Sequence, residues 1–86
     1  MKHSASPEFW AEYHQLPVET RKLADESYQR LKSNPGHPSL HLKRVRGYWS
    51  VRVGLHYRAL GVSAEPETIV WFWIGTHAAY DRLVRN

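Results

Sequence analysis

Four side chains in the second half of the sequence could together cleave a phosphodiester bond. Arg52 and Arg58 flank a turn at Gly54, on two segments in which apolar and polar residues alternate. His77 and Tyr80 are three residues apart at the start of a helical segment, so they point to one side of it. RNA cleavage needs a base for the 2′-hydroxyl, an acid for the leaving oxygen and guanidinium groups for the charge on phosphorus. These residue types suit that reaction, although a histidine at a helix start is often only a surface or capping residue.

The basic residues are concentrated in one third of the chain. The net charge is +4, and residues 32–63 hold six basic side chains and no acidic one. A surface with this bias favours nucleic acid or an acidic protein partner, but it is also compatible with a solvated face that only aids solubility. The candidate RNA-binding residues are Lys43, Arg44, Arg46 and His56.

Length and composition exclude several classes of protein. A chain of 86 residues is long enough for one domain, which we assign to residues 1–86. The absence of cysteine excludes a disulfide-stapled fold, an iron–sulfur site and a thiolate zinc finger. The longest apolar run, 69–74, is too short to span a membrane, and we expect a cytoplasmic protein. Its histidines lack the spacing of metal ligands, so we expect neither a metal nor a cofactor.

Two helices are predicted in the first part of the chain. A serine cap, a proline and an acidic residue at 6–8 are typical of a helix start, and they predict a helix over about 7–15. Pro17 opens a second helix, which the sequence Asn-Pro-Gly at 34–36 ends near Ser33. The short connection between the helices predicts an antiparallel hairpin.

The remainder of the chain is predicted to form a sheet and one closing helix. Strands are expected at 40–45, 48–53, 56–62 and 68–74, with a further short strand possible at 2–5. The strand at 68–74 is apolar enough to be buried on both faces. The last helix runs from 76 or 77 to 84.

Alternation within the strand 48–53 separates two sheet faces. Trp49, Val51 and Val53 are expected to face the helices, and Arg52 the opposite side. We therefore predict an α+β fold in which an N-terminal helix hairpin packs on a small twisted antiparallel sheet with a short C-terminal helix. Most of the large aromatic residues are expected in the core, namely Trp10, Trp49, Trp71, Phe72 and Trp73.

Several short motifs, in this order and spacing, resemble the RelE/ParE superfamily of bacterial toxin–antitoxin toxins. They are a basic segment that starts near Leu42 and ends at Gly47, the pairs Arg52-Val53 and Tyr57-Arg58, and the turn Ile74-Gly75-Thr76-His77. The segment GTHAA is especially similar to the YafQ branch of RNA-cleaving toxins. The resemblance extends from about Ser4 to Leu83.

The resemblance implies a fold like that of the microbial RNases and an activity on the ribosome. The concave face of the sheet would enter the decoding site and cut messenger RNA, and a separate antitoxin protein would be the partner. By position, Arg52 and Arg58 would be the cations at the phosphate and the transition state. His77 would be the general acid or base, and Tyr80 would stand for the aromatic residue a few positions further on.

Two departures from the family pattern keep other functions open. Ser50 stands where RelE-like RNases commonly have a lysine, and Ala78 where an arginine is frequent. Members of the ParE branch inhibit DNA gyrase by contact and need no RNase residues. A ParE-like gyrase inhibitor and an inactive nucleic-acid-binding relative are therefore the alternatives, and neither requires His77 or Tyr80.

Overall fold

The computed structural model describes residues 1–85, in which three α-helices pack on a five-stranded sheet. Its elements in chain order are β1 (Lys2–Ala5), α1 (Pro7–Tyr13), α2 (Val18–Ser33), a 3₁₀ turn (Pro38–Leu40), β2 (Lys43–Val45), β3 (Tyr48–Val53), β4 (Tyr57–Ala64), β5 (Thr68–Thr76) and α3 (His77–Arg85). The strand order is β1-β5-β4-β3-β2. The α+β class, the helix hairpin and the closing helix predicted from the sequence are confirmed.

The sheet is mixed, which corrects the prediction of a wholly antiparallel sheet. The pairs β2–β3, β3–β4 and β4–β5 are antiparallel. By contrast, β1 pairs parallel with β5, from Lys2 opposite Thr68 to Ala5 opposite Trp71. Parallel strands need a long connection, and the helices and strands between β1 and β5 provide one. The short N-terminal strand thus covers the outer edge of β5.

Capping and proline residues determine where the two helices of the hairpin begin and end. The Ser6 hydroxyl accepts a hydrogen bond from the Phe9 amide at 3.3 Å, and Pro7 occupies the first turn of α1. Helix α1 ends two residues earlier than predicted, because the Leu16 amide bonds to the Tyr13 carbonyl at 3.1 Å and the chain turns there. Pro17 then precedes α2.

The core lies between the hairpin and one face of the sheet. Val51 and Val53 are buried in it and Trp49 packs at its margin, so the predicted faces of β3 are confirmed. The buried members of this core are Leu16, Ala24, Leu31, Leu40, Val51, Val53, Ala59, Ile69, Trp71 and Ile74. The opposite face of the sheet is only partly covered, by α3, and the candidate site lies there.

Two tryptophans expected in the core lie elsewhere. Trp10 is 46% exposed on α1. A β-bulge interrupts the pairing of β4 with β5, so that Leu60 lies opposite Trp73 while the next residue, Gly61, lies opposite Trp71. The extra residue places Trp71 on the core face and Trp73 on the opposite face. Strand β5 is therefore fully buried on one face only, contrary to the prediction.

The turns on either side of β3 set its limits. Residues 40–42 are not a strand, because the 3₁₀ turn is followed by His41 in the left-handed region, at φ 48°. Arg46 and Gly47 join β2 to β3 with φ values of 53° and 82°, as a tight hairpin turn requires. His56, predicted in a strand, lies in the turn before β4. Within residues 1–85, no helix combines the length and the apolar character needed to cross a bilayer.

Candidate active site

An arginine pair lies on the sheet face away from the core. Arg52 on β3 and Arg58 on β4 are directly opposite each other in the strand register, so their side chains leave the same face. Burial, and next the charge of Arg52, lower the pKa of Arg58 from its usual value. The Arg58 guanidinium donates a hydrogen bond to the Tyr57 carbonyl at 2.9 Å. The predicted placement of both arginines on one face is confirmed, and it concentrates positive charge there.

His77 lies at the junction of β5 and α3. Its amide donates to the His56 carbonyl at 2.8 Å, and Thr76 caps the helix by accepting a hydrogen bond from the Ala79 amide at 3.2 Å. The imidazole Nδ1 is 3.1 Å from a carboxylate oxygen of Asp81, one helical turn later. With Nδ1 engaged, Nε2 is the ring nitrogen free to exchange a proton with a ligand.

Asp81 contacts His77 and acts on Arg58 through its charge. Burial and Arg52 lower the pKa of Arg58, and the smaller effects of Tyr80 and then Asp81 raise it. Asp81 was not among the residues singled out from the sequence, although the spacing of four residues between His77 and Asp81 is a signal for contact on a helix. The site thus holds an imidazole, a carboxylate and two guanidinium groups.

Tyr80 connects α3 to the sheet. It is 6% exposed, and its phenol oxygen accepts a hydrogen bond from the Ser50 hydroxyl at 3.0 Å. Ser50 is itself 1% exposed, so this contact attaches the helix to β3. The Tyr80 and His77 rings are 5.8 Å apart, as expected for one side of the helix. Tyr80, a candidate catalytic residue from the sequence, is therefore buried, and its hydroxyl is bonded to Ser50.

Trp73, which was expected in the core, forms one wall of the candidate site. Gly75 lies opposite Arg58 in the sheet. A Cβ atom at Gly75 would be 2.5 Å from Cζ2 of the Trp73 indole, so the ring lies across the glycine. A flat aromatic surface therefore lies beside the Arg58 position, and such surfaces stack on nucleic-acid bases.

Lys43 shares the site face, whereas Arg44 does not. Lys43 is exposed and lies opposite Ser50 on β3, on the side of the arginine pair. Arg44 lies opposite Trp49 on the other face, with its guanidinium 4.7 Å from the centre of the indole ring. It donates to the Ser63 hydroxyl at 3.0 Å. The alternation of side chains along β2 separates these two adjacent cations, so Arg44 is not part of the candidate site.

Two other candidate RNA-binding residues lie in turns at the margins. The Arg46 guanidinium donates to the Arg85 carbonyl at the end of α3, at 3.3 Å. The His56 side chain is exposed, and its carbonyl holds the His77 amide. In the part of the chain that is described, no three His, Asp or Glu side chains gather as metal ligands would.

Comparison with known proteins identifies the family. A family model described as the ParE-like toxin domain matches residues 19–82, which include the arginine pair and His77. A comparison of the sequence with curated proteins found no match.

Solved structures of toxins share the fold at low sequence identity. In a RelB–RelE antitoxin–toxin complex from Methanococcus jannaschii, the matching chain is 18% identical, with a TM-score of 0.70 over 92% of this chain and 96% of the other. A YoeB/ParE toxin from Agrobacterium tumefaciens is 16% identical, with a TM-score of 0.66 over 90% and 99%. YafQ from Escherichia coli is 16% identical, with a TM-score of 0.64 over 92% and 96%. Because the family model matches more than half of this chain, the chain belongs to the ParE-like toxin domain family, within the RelE/ParE superfamily of toxins.

Proposed function

We propose that this toxin is a metal-free endoribonuclease that cuts messenger RNA on the ribosome. The observation that carries the proposal is the pair formed by His77 and Asp81 beside two arginines on one face of the sheet. The exposed Lys43 and the half-buried Trp73 extend this face with a further cation and an aromatic ring. Together these groups suit a single-stranded RNA backbone.

The proposed reaction begins with the 2′-hydroxyl of the RNA. The contact of Nδ1 with Asp81 keeps the ring proton on that nitrogen, so Nε2 of His77 acts as the base and removes the hydroxyl proton. The 2′-oxygen forms a bond to phosphorus, and the bond to the 5′-oxygen breaks. The leaving 5′-oxygen takes a proton from a water molecule, and the protonated His77 gives its proton to the resulting hydroxide, which restores the base. Arg52 and Arg58 stabilise the added charge on phosphorus, because a guanidinium fork matches two phosphate oxygens. The products are a 2′,3′-cyclic phosphate and a 5′-hydroxyl.

An antitoxin is proposed as the protein partner. The solved complex from Methanococcus jannaschii pairs a toxin of this fold with its antitoxin. The basic face of this chain would attract an acidic antitoxin segment, which becomes ordered as it binds. Such a partner would cover the site and stop the reaction.

Inhibition of DNA gyrase is the second candidate function. The matching family model is the ParE-like one, and the ParE branch acts on gyrase by contact. That function does not require the His77–Asp81 pair. The two candidates therefore predict different results when His77 is replaced.

The test is expression of the wild type and His77→Ala without an antitoxin. Mapping of 5′ ends on translated messages is expected to show cuts with the wild type and none with His77→Ala. His14→Ala replaces an exposed histidine on the hairpin and should cut as the wild type does. Circular dichroism checks that each variant is folded.

Growth arrest by both proteins with intact messages would contradict the RNase proposal. A supercoiling assay with purified gyrase then decides the second candidate. Inhibition by both the wild type and His77→Ala would support the gyrase function, and loss of cutting together with loss of toxicity in folded His77→Ala would exclude it.

A further inference from the structure

A cleft outside the candidate active site lies where α2 passes the turn between β3 and β4. It measures about 210 Å³, and α2, Ser39 of the 3₁₀ turn and the β3–β4 turn form its walls. The lining residues are Leu23, Glu26, Ser27, Arg30, Ser39, Arg52, Gly54 and Leu55. The family resemblance and the proposed reaction assign no role to this cleft.

One end of the cleft is rich in hydrogen-bond donors. The Arg30 guanidinium donates to the Ser39 hydroxyl at 3.2 Å, and that hydroxyl is 2.8 Å from His37 Nδ1, so Ser39 holds Arg30 at the wall. Arg52 lines the same cleft, and its Nε is buried and without a hydrogen-bond partner among the described residues. Two arginines face a single acid, Glu26, within the described lining. Guanidinium forks are groups that bind a phosphate.

The rim of the cleft is apolar and exposed. Leu55, at the tip of the β3–β4 turn, is 78% exposed, and Leu23 on α2 is 42% exposed. The fold gains little from a leucine at so exposed a turn, because burial of its side chain is what would stabilise the fold. Phosphate donors at one end and apolar side chains at the rim correspond to the two halves of a nucleotide.

Arg52 belongs to both the cleft and the active site. It is opposite Arg58 in the sheet, and β2 pairs with β3 only from Tyr48 to Ser50, so the edge of β3 beside Arg52 is not covered by β2. There Arg52 reaches His41, at 3.4 Å. Because Arg52 is shared, the cleft is the site next to the arginine pair.

We propose that the cleft is a subsite for the nucleotide next to the scissile phosphate. Arg30, held by Ser39, binds its phosphate together with Arg52, and Leu23 and Leu55 contact its base. The inference rests on the proposed RNase function, because it assigns the strand that occupies the active site. It adds Arg30 and Leu55 as RNA contacts on the far side of β3.

The test is RNA binding measured by fluorescence anisotropy over a series of salt concentrations. The probe is a single-stranded RNA of about eight nucleotides, a length that suits a small binding face, with 2′-O-methyl riboses that prevent cleavage. Arg30→Gln should weaken binding about fivefold and reduce the slope of log K against log salt by about 0.7, the contribution of one phosphate contact. Leu55→Ala should weaken binding about threefold with an unchanged slope, because an apolar contact releases no ions.

Two further variants keep the test decisive. Lys22→Gln removes one exposed charge from the same helix outside the cleft and should leave affinity and slope close to those of the wild type. Arg30→Lys keeps the charge but not the fork, so it should keep the slope and lose part of the affinity. It also replaces Arg30→Gln should that variant fail to fold.

Equal effects of Arg30→Gln and Lys22→Gln, or no RNA binding by the wild type, would overturn the subsite. The failure of the subsite and that of the proposed function are distinguishable. If the wild type cuts messages while Arg30→Gln binds RNA as well as the wild type, only the subsite is wrong. If binding depends on Arg30 but messages stay intact, the cleft is an RNA-binding site and the RNase proposal is wrong.

Discussion

The contact between His77 and Asp81 determines which ring nitrogen can take part in proton transfer. The 3.1 Å distance joins Nδ1 to the carboxylate, in a pair that is exposed to solvent on α3. A carboxylate in this position selects a tautomer and an orientation of the imidazole, but it does not itself contact the substrate. Asp81 is therefore a positioning residue in the proposed reaction.

Asp81→Asn is expected to slow RNA cleavage by about ten- to a hundredfold, because an amide no longer selects the correct tautomer. Since Asp81 is exposed, the free energy of unfolding should change little. Cleavage rates of the wild type and Asp81→Asn, together with urea unfolding of both, are the measurement.

Glu65→Gln, at an exposed turn, provides the charge-matched control. A rate that falls equally in Glu65→Gln and Asp81→Asn would assign the effect to net charge and contradict the positioning role.

The site residues were predictable from the sequence only where a regular period governs them. Alternation along two strands was sufficient to place Arg52 and Arg58 on one face. The burial of Tyr80 was not predictable, because the helical period gives the side of α3 but not which side the sheet covers. Arg44 was grouped with Lys43 as a candidate RNA-binding residue, but β2 turns its side chain to the other face.

At the scale of the elements, the β-bulge between β4 and β5 explains the position of Trp73. A period of two would place Trp71 and Trp73 on the same face, but the extra residue separates them. The hairpin and its limits were predictable because serine, proline and glycine mark them locally. The parallel pairing of β1 was not, because it depends on a partner more than sixty residues away along the chain.

Gly75→Ala should displace the Trp73 indole, since the new methyl group would be 2.5 Å from the ring. We expect a loss of about 1–3 kcal/mol in the free energy of unfolding, as overpacking commonly causes. Urea unfolding is the measurement. Gly36→Ala is the control, because the nearest heavy atom to its new methyl group is 3.9 Å away, and it should be close to neutral. An unchanged Gly75→Ala midpoint would contradict the packing of Trp73 across Gly75.

Strand β1 introduces a dependence of stability on pH. His3 Nδ1 accepts a hydrogen bond from the Trp71 indole at 3.2 Å, and this requires the nitrogen to be unprotonated. Burial, then the charges of the N-terminus and Lys32, lower the pKa of His3 below 6.5. The unfolded chain therefore binds a proton more readily than the folded one, and stability is lost as the pH falls below about 6.5.

His3→Gln should reduce the decline in the free energy of unfolding between about pH 7 and pH 5, since the titrating group is gone. Urea unfolding at several pH values measures it. The exposed His56→Gln is the control and should keep the decline. A decline that is identical in His3→Gln and the wild type would show that another group causes it.

At the scale of the whole molecule, the two faces of the sheet have different roles. One face holds the core under the helix hairpin, and the other presents Lys43, Arg52 and Arg58. If these three cations contact phosphates of a single strand, they should contribute about −2 to the slope of log K against log salt. Lys43→Gln should reduce the slope by about 0.7, whereas Arg44→Gln, on the other face, should not.

A titration of the same 2′-O-methyl RNA between low and physiological salt checks this expectation. A flat response of the wild type would exclude the face with Lys43, Arg52 and Arg58 as the RNA-binding surface. Equal effects of Lys43→Gln and Arg44→Gln would contradict the placement of RNA on only one face of the sheet.

The most direct test of the proposed activity is the chemistry of the cut ends. Purified toxin is added to ribosomes translating a defined message, and the ends of the fragments are analysed. Attack by the 2′-hydroxyl predicts a 2′,3′-cyclic phosphate, or the phosphate formed by its hydrolysis, on the upstream fragment and a 5′-hydroxyl on the downstream fragment. Both should be absent with folded His77→Ala. An intact message with the wild type, or an upstream fragment that ends in a 3′-hydroxyl, would contradict the account.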